Sequence, residues 1–304
     1  MIALARLLHE HEHQWVVTAD QRTWTDLDEF EGQDITTLAD AIHAYRSLAQ
    51  NWPLTRRGRV IDPSDLVAPV VHPGKIVGVD ANYATFGPQA RALAATELTP
   101  TMRFPTAIVG PRSPIAARSD VTPLLDYAVE LALVIADHIP VGSSPDDPMQ
   151  AVFGYTVANE LSAHGLADGL ADGDEVHGVD AFLAVGPWIT LHTDRLAPLE
   201  DRAITTHVNG LKRQDAHLGT MVRDIPALLR GITRSMSLDP GDVVLTGSPP
   251  GRGASLQPPR FLQDRDVVSC AITGLGRINN TVQVWNPRAR PPARQIPRHQ
   301  GSSA

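Results

Sequence analysis

The chain has 304 residues, of which 42% are hydrophobic and 20% charged, with a formal net charge of -8. That length supports one large domain or a large domain with a small companion, and the balance is that of a globular protein. An acidic excess with no basic stretch inside the body argues against a nucleic-acid partner, and no apolar run is long enough to span a membrane.

Cys270 is the sole cysteine, which rules out an internal disulfide and a cysteine-based zinc site; its apolar surroundings, Val267 to Ile272, read as buried packing. The N-terminus carries His9, His11 and His13 where a secretion signal needs a basic region and an apolar core, so a cytoplasmic location is expected.

In chain order, residues 1–70 read as a small α/β accessory unit. Trp15 to Thr18 suits a strand, and Leu38, Ile42, Tyr45 and Leu48 have helical spacing. Pro53 and Pro63, flanking Arg56, Arg57 and Arg59, read as a linker. Residues 71–285 then alternate short β-rich runs with Gly/Pro turns. The runs are Lys75 to Val79, Ala107 to Val109, Tyr127 to Ile135, Val152 to Val157, Trp188 to Leu191, Ile204 to Val208, Val243 to Thr246 and Val267 to Ile272. The expected class is α+β, mainly β. One helix is well specified: Asp224 caps it, Pro226 suits its first turn, and Ile225, Leu228, Leu229 and Ile232 form an apolar stripe. Residues 286–304 are rich in Pro and Arg, lack periodicity, and read as a disordered tail.

The Tyr127 to Ile135 run carries one acid, Glu130, on the face it shares with Ala128 and Ala132, while Val129, Leu131, Leu133 and Ile135 point the other way. A lone carboxylate among small side chains suits a ligand or base facing a cavity; a solvated edge strand is the alternative.

Four segments extend this clue: Lys75-Ile-Val-Gly-Val-Asp-Ala-Asn-Tyr83, Asp126-Tyr-Ala-Val-Glu-Leu131, Gly154-Tyr-Thr-Val-Ala-Asn-Glu-Leu-Ser-Ala163, and Val208-Asn-Gly210 joined to Leu238-Asp-Pro-Gly-Asp242 and Thr246-Gly-Ser-Pro249. In this order they resemble the fumarylacetoacetate hydrolase family. The resemblance implies a mixed β-roll catalytic domain beside the small N-terminal α/β domain, a homodimer, Mg²⁺ or Mn²⁺ held by carboxylates, and no organic cofactor. It also implies cleavage or decarboxylation of 2-oxo acids and 1,3-dicarbonyls, with the cation stabilising an enolate.

Position by position, the implied site departs from that pattern. Of the two acids on the first strand only Glu130 remains, Ala128 standing at the other. The third acid is Glu160 instead of Asp, Arg103 and His177 replace lysines, and Phe86 and Gln89 stand where the lid's His–Glu pair belongs. Glu130, Glu160, His177 and Arg103 are the candidate catalytic residues, with Glu130 and Glu160 also the candidate metal ligands. Asp80, Tyr83, Phe86 and Ser248 are the candidate substrate contacts. Glu160 has a second reading as a buried acid paired with Arg103 or His177.

Loss of one ligand predicts weak or no metal dependence. The expected function is enolate or acid–base chemistry on a polar oxo/enol small molecule (cyclisation, isomerisation, dehydration or decarboxylation) in specialised biosynthesis. The alternatives are a Mg/Mn-dependent C–C hydrolase or decarboxylase of acylpyruvate-like acids, and a non-catalytic relative that binds a small molecule.

Overall fold

A computed structural model describes residues 2–27, 35, 37–49, 58–79, 81–83, 92, 96–120, 122, 124–143, 146–164, 177, 179–193 and 196–286. The long strands β8 (Leu124–Ile135) and β9 (Val152–His164) are the spine of the fold, paired antiparallel along their lengths, with Ala128 opposite Glu160 and Glu130 opposite Ala158. Around them lies a ten-stranded mixed sheet. On one side stand β10 (Leu183–Leu191), β1 (Ala3–His9), β2 (Glu12–Thr18) and β3 (Thr25–Asp26). On the other stand β13 (Val243–Leu245), β4 (Ile76–Val79) and β5 (Pro100–Arg103), while β6 (Ile108–Val109) pairs in parallel with the start of β10.

The N-terminal strands form no sheet of their own, because β1 pairs with β10 at Ala3–Thr190 and Leu4–Ile189. Helix α1 (Leu38–Ala49) lies on the helical spacing of the sequence, and β2 contains the expected Trp15 to Thr18 strand. Residues 53–57 of the expected linker, and all but Asn286 of the expected tail, lie outside the described residues.

A second sheet has the order β12 (Leu211–His217), β11 (Ala203–Val208), β14 (Val267–Ile272), β15 (Gly276–Trp285) and β7 (Ile115–Arg118). The period-two alternation of β8 assigns its two faces. Val129, Leu131, Leu133 and Ile135 join Tyr155, Val157 and Leu161 in a core shared with Ile204, Cys270, Ile278 and the stripe of helix α2 (Ile225–Thr233). Asp224 caps α2 by accepting from the Ala227 N–H. On the opposite face Ala132, Val134 and Ala158 pack with Leu183 and Leu245 beneath residues of α1 and β2. Beyond Ala132 the same face carries Glu130, Ala128 and Asp126, and there the packing is polar.

This polar end is enclosed because the sheet rolls up. Four strand steps separate β9 from β5, about 19 Å in a flat sheet, yet Arg103 at the end of β5 is hydrogen-bonded to Glu160 on β9. Only four residues separate Arg103 from β6, which lies beside β10. That short link draws one margin of the sheet onto the other, so the architecture is the expected mixed, mainly β roll.

Candidate active site

Glu130 is 4% exposed, so the solvated-edge reading does not hold. Its Oε2 accepts a hydrogen bond from the Gly247 N–H at 2.7 Å. Gly247 has a φ of +88°, and a Cβ there would lie 2.9 Å from that of Asn82. Only glycine delivers this N–H without strain. Asn82 fixes the turn from the other side: its amide donates to the carbonyls of Arg223 and Thr246 and accepts from the Arg223 N–H. Thus the Asn-Tyr and Thr-Gly-Ser-Pro motifs of the sequence meet over one carboxylate.

Glu160, 5% exposed, lies on the same face from β9. The Nε of Arg103 donates to its Oε1, and the Nδ1 of His177 lies 3.5 Å from the same oxygen. The paired-acid reading of Glu160 therefore holds with both partners at once. Arg103 reaches it across the bare backbone of Gly78, where a Cβ would come within 3.1 Å of the guanidinium.

The two acids differ in proton affinity. Burial, reinforced by the charge of Glu160, raises Glu130 well above the ordinary carboxylate range. Burial also acts to raise Glu160, but the hydrogen bond and charge of His177, with those of Arg103, outweigh it and hold Glu160 at about 2. The surroundings therefore favour the protonated form of Glu130 and the ionised form of Glu160.

Tyr83 adds a buried phenol within reach of the Glu130 charge. Burial and the charge of Glu130 raise its pKa, and its hydroxyl is buried without a hydrogen-bond partner among the described residues. Ser248 is not poised as a nucleophile: its Oγ accepts from the Nε2 of Gln214 at 2.8 Å. Gln214 reaches over from β12, and its Oε1 accepts from the Val129 N–H and the Thr206 hydroxyl. Asp80, Phe86 and Gln89 lie outside the described residues.

Three site residues escaped the sequence reading. Asp126, fully buried on the face of Ala128 and Glu130, accepts from the N–H groups of Tyr127, Gly253 and Ala254. It thereby pins the loop bearing Arg252, whose Nη2 donates to the Ser162 Oγ at 2.7 Å. Extending the period-two alternation back from Ala128 finds Asp126, and extending it forward from Glu160 finds Ser162. Arg252 has only a weak signal, a guanidinium in the Pro-Pro-Gly-Arg-Gly run after the Thr-Gly-Ser-Pro motif. His164 lies 3.6 Å from Asp126, and burial lowers its pKa against the pull of that charge.

The donors present do not fit a divalent cation held by three carboxylates. Position 128 offers a methyl group, Glu160 is engaged by the Arg103 guanidinium with the His177 ring beside it, and Glu130 favours its protonated form. No cluster of three His, Cys, Asp or Glu residues suited to a metal occurs among the described residues.

Residues 75–283 match the family described as fumarylacetoacetate (FAA) hydrolase C-terminal, and the chain belongs to that family. Members of this family are commonly metal-dependent. A Mycobacterium tuberculosis protein, Protein Rv2993c, is 33% identical over 83% of this chain and 89% of its own. The mitochondrial oxaloacetate tautomerase FAHD2A of Bos taurus is 34% identical over 78% of this chain and 74% of its own. The fumarylacetoacetate hydrolase of Exiguobacterium antarcticum superposes with a TM-score of 0.76 at 28% identity, covering 94% of this chain and all of that one.

Proposed function

We propose that the chain is a proton-transfer enzyme, a tautomerase or isomerase, acting on a small acid that interconverts between oxo and enol forms. The observation that carries this reading is the pair Glu130 and Glu160. Two buried carboxyls lie on one face of adjacent strands, with environments that separate their proton affinities. Moving a proton between carbon and oxygen needs a group that exchanges it and a positive charge that steadies the enolate. Glu130 holds the exchangeable proton, and the Tyr83 hydroxyl beside it is placed to donate to the substrate oxygen. Glu160 remains ionised and fixes Arg103, whose guanidinium stands where developing negative charge is stabilised. The positive charge comes from the chain itself, so the reading includes weak or no dependence on a divalent metal.

The similarity to an oxaloacetate tautomerase supports the class of reaction and makes a 2-oxo acid the first substrate to try. The test is enol–oxo interconversion of oxaloacetate and related 2-oxo acids, followed by enol absorbance in buffer stripped of metals. Glu130→Gln is expected to lower kcat by about 100-fold or more, the usual contribution of a general acid–base group. Wild-type rates equal to buffer across the panel, or an unimpaired Glu130→Gln, would sink the proposal.

A further inference from the structure

Asp126, Ala128 and Glu130 succeed one another on one face of β8, opposite Ser162, Glu160 and Ala158 on β9. The middle rung is the one where a methyl group replaces a carboxylate. The Arg103 guanidinium bonds Glu160 on that rung, and the Arg252 guanidinium bonds Ser162 on the next, about 7 Å along the strand. Arg252 is held there by a loop pinned through two backbone N–H bonds, from Gly253 and Ala254, to buried Asp126, whose Oδ2 lies 4.0 Å from the Arg252 Nε, so its position is built into the fold. Its side chain is 26% exposed while that of Arg103 is 3% exposed, so the row opens to solvent at the Arg252 end.

We infer that the space above Ala128, bracketed by Arg103 and Arg252, is an anion cradle that takes a carboxylate of the substrate where the family pattern places a cation. Arg252 is the specificity-determining residue of this cradle. Guanidinium groups suit carboxylates because their planar N–H forks match the two oxygens, and the missing side chain at 128 supplies the room. The inference rests on the acid substrate proposed above and adds where its charge is seated. In a site built for a carboxylate, the Arg252 guanidinium is a donor at the mouth.

The experiment is calorimetric titration of the metal-stripped full chain with malonate, and with malonamide as its uncharged counterpart. Saturable malonate binding, absent for malonamide and weakened about tenfold or more in Arg252→Gln, is the expected result. Arg252→Lys, which keeps the charge but loses the fork, should recover part of the affinity and guards against a folding defect in the first variant. Equal affinity in Arg252→Gln, equal binding of malonamide, or binding that requires added Mg²⁺ or Mn²⁺ overturns the inference. Turnover of a 2-oxo acid without malonate binding removes the cradle and leaves the proton-transfer reading standing. Malonate binding without turnover supports the cradle and removes that reading.

Discussion

Substituting Glu160 by Gln tests the ion pair on which the site turns. The side chains of Arg103 and Glu160 are 3% and 6% exposed and directly hydrogen-bonded. Gln keeps the shape and removes the charge, leaving a buried guanidinium without its carboxylate. Breaking one side of such a pair costs about 3–5 kcal/mol. Unfolding entropy scales with chain length, so in 304 residues this is a fall in Tm of about 5–8 °C. Arg103→Met should cost a comparable amount, because it strands the carboxylate instead. The double variant, with both charges gone, should be far less destabilised than the two losses added together, since an apolar replacement of a buried pair is often close to neutral. The assay is urea unfolding of wild type, both single variants and the double at one pH. If the two losses simply add, the pair does not act as a unit and the site as described is wrong.

The pH dependence of stability should carry opposite signatures from the two acids. Glu160 is lowered to about 2, so its contribution is complete above about 4.5 and fades as pH falls toward 2. Glu130 is raised, so its contribution is complete below 4.5 and is lost as pH rises through its folded value. Glu130→Gln should therefore gain stability relative to wild type as pH rises above 4.5, read as a rising difference in urea midpoint; a constant difference refutes the shift. Gly247→Ala should cost about 1–3 kcal/mol from its positive φ and should depress kcat by misplacing the N–H that holds Glu130; unchanged kinetics would remove that role. Gln214→Leu leaves Val129, Thr206, Ser248 and Pro249 without the amide. Its expected cost is about 3 kcal/mol or more, measured by the same unfolding curves.

The fold was legible wherever periodicity and burial agree. The β8 alternation identified the face bearing Glu130, and the α2 stripe, with its Asp224 cap, was readable from spacing alone. Strands whose inward face is polar went unread. β12 buries little besides Gln214, and the middle of β15 buries Asn280, which bonds the Gly110 and Ser113 carbonyls. Such residues read as turns until their tertiary partners are known. The solvated alternative for Glu130 had a local basis, since nothing in its own strand announces that Arg103, Tyr83 and the Gly247 turn will cover it. Those contacts come from segments 27 to 117 positions away and depend on the rolling of the sheet.

Charge balance explains why the replacements occur together. In the family pattern, three carboxylates face a divalent cation, with two lysines beside them. Here Ala128 removes one carboxylate, Arg103 supplies a permanent positive charge, and Glu160 supplies the matching negative one. The site is then neutral only if Glu130 keeps its proton, and burial together with the Glu160 charge drives it to do so. The additional methylene of Glu160 over Asp is consistent with the same scheme, because its partner is a guanidinium on β5 and not an ion between the strands. Restoring a carboxylate at 128 would place a permanent negative charge beside Glu130 and opposite Glu160, in the space proposed for the substrate's carboxylate. The favoured proton on Glu130 is thus the chemical consequence of a buried carboxyl set beside an already paired Glu160.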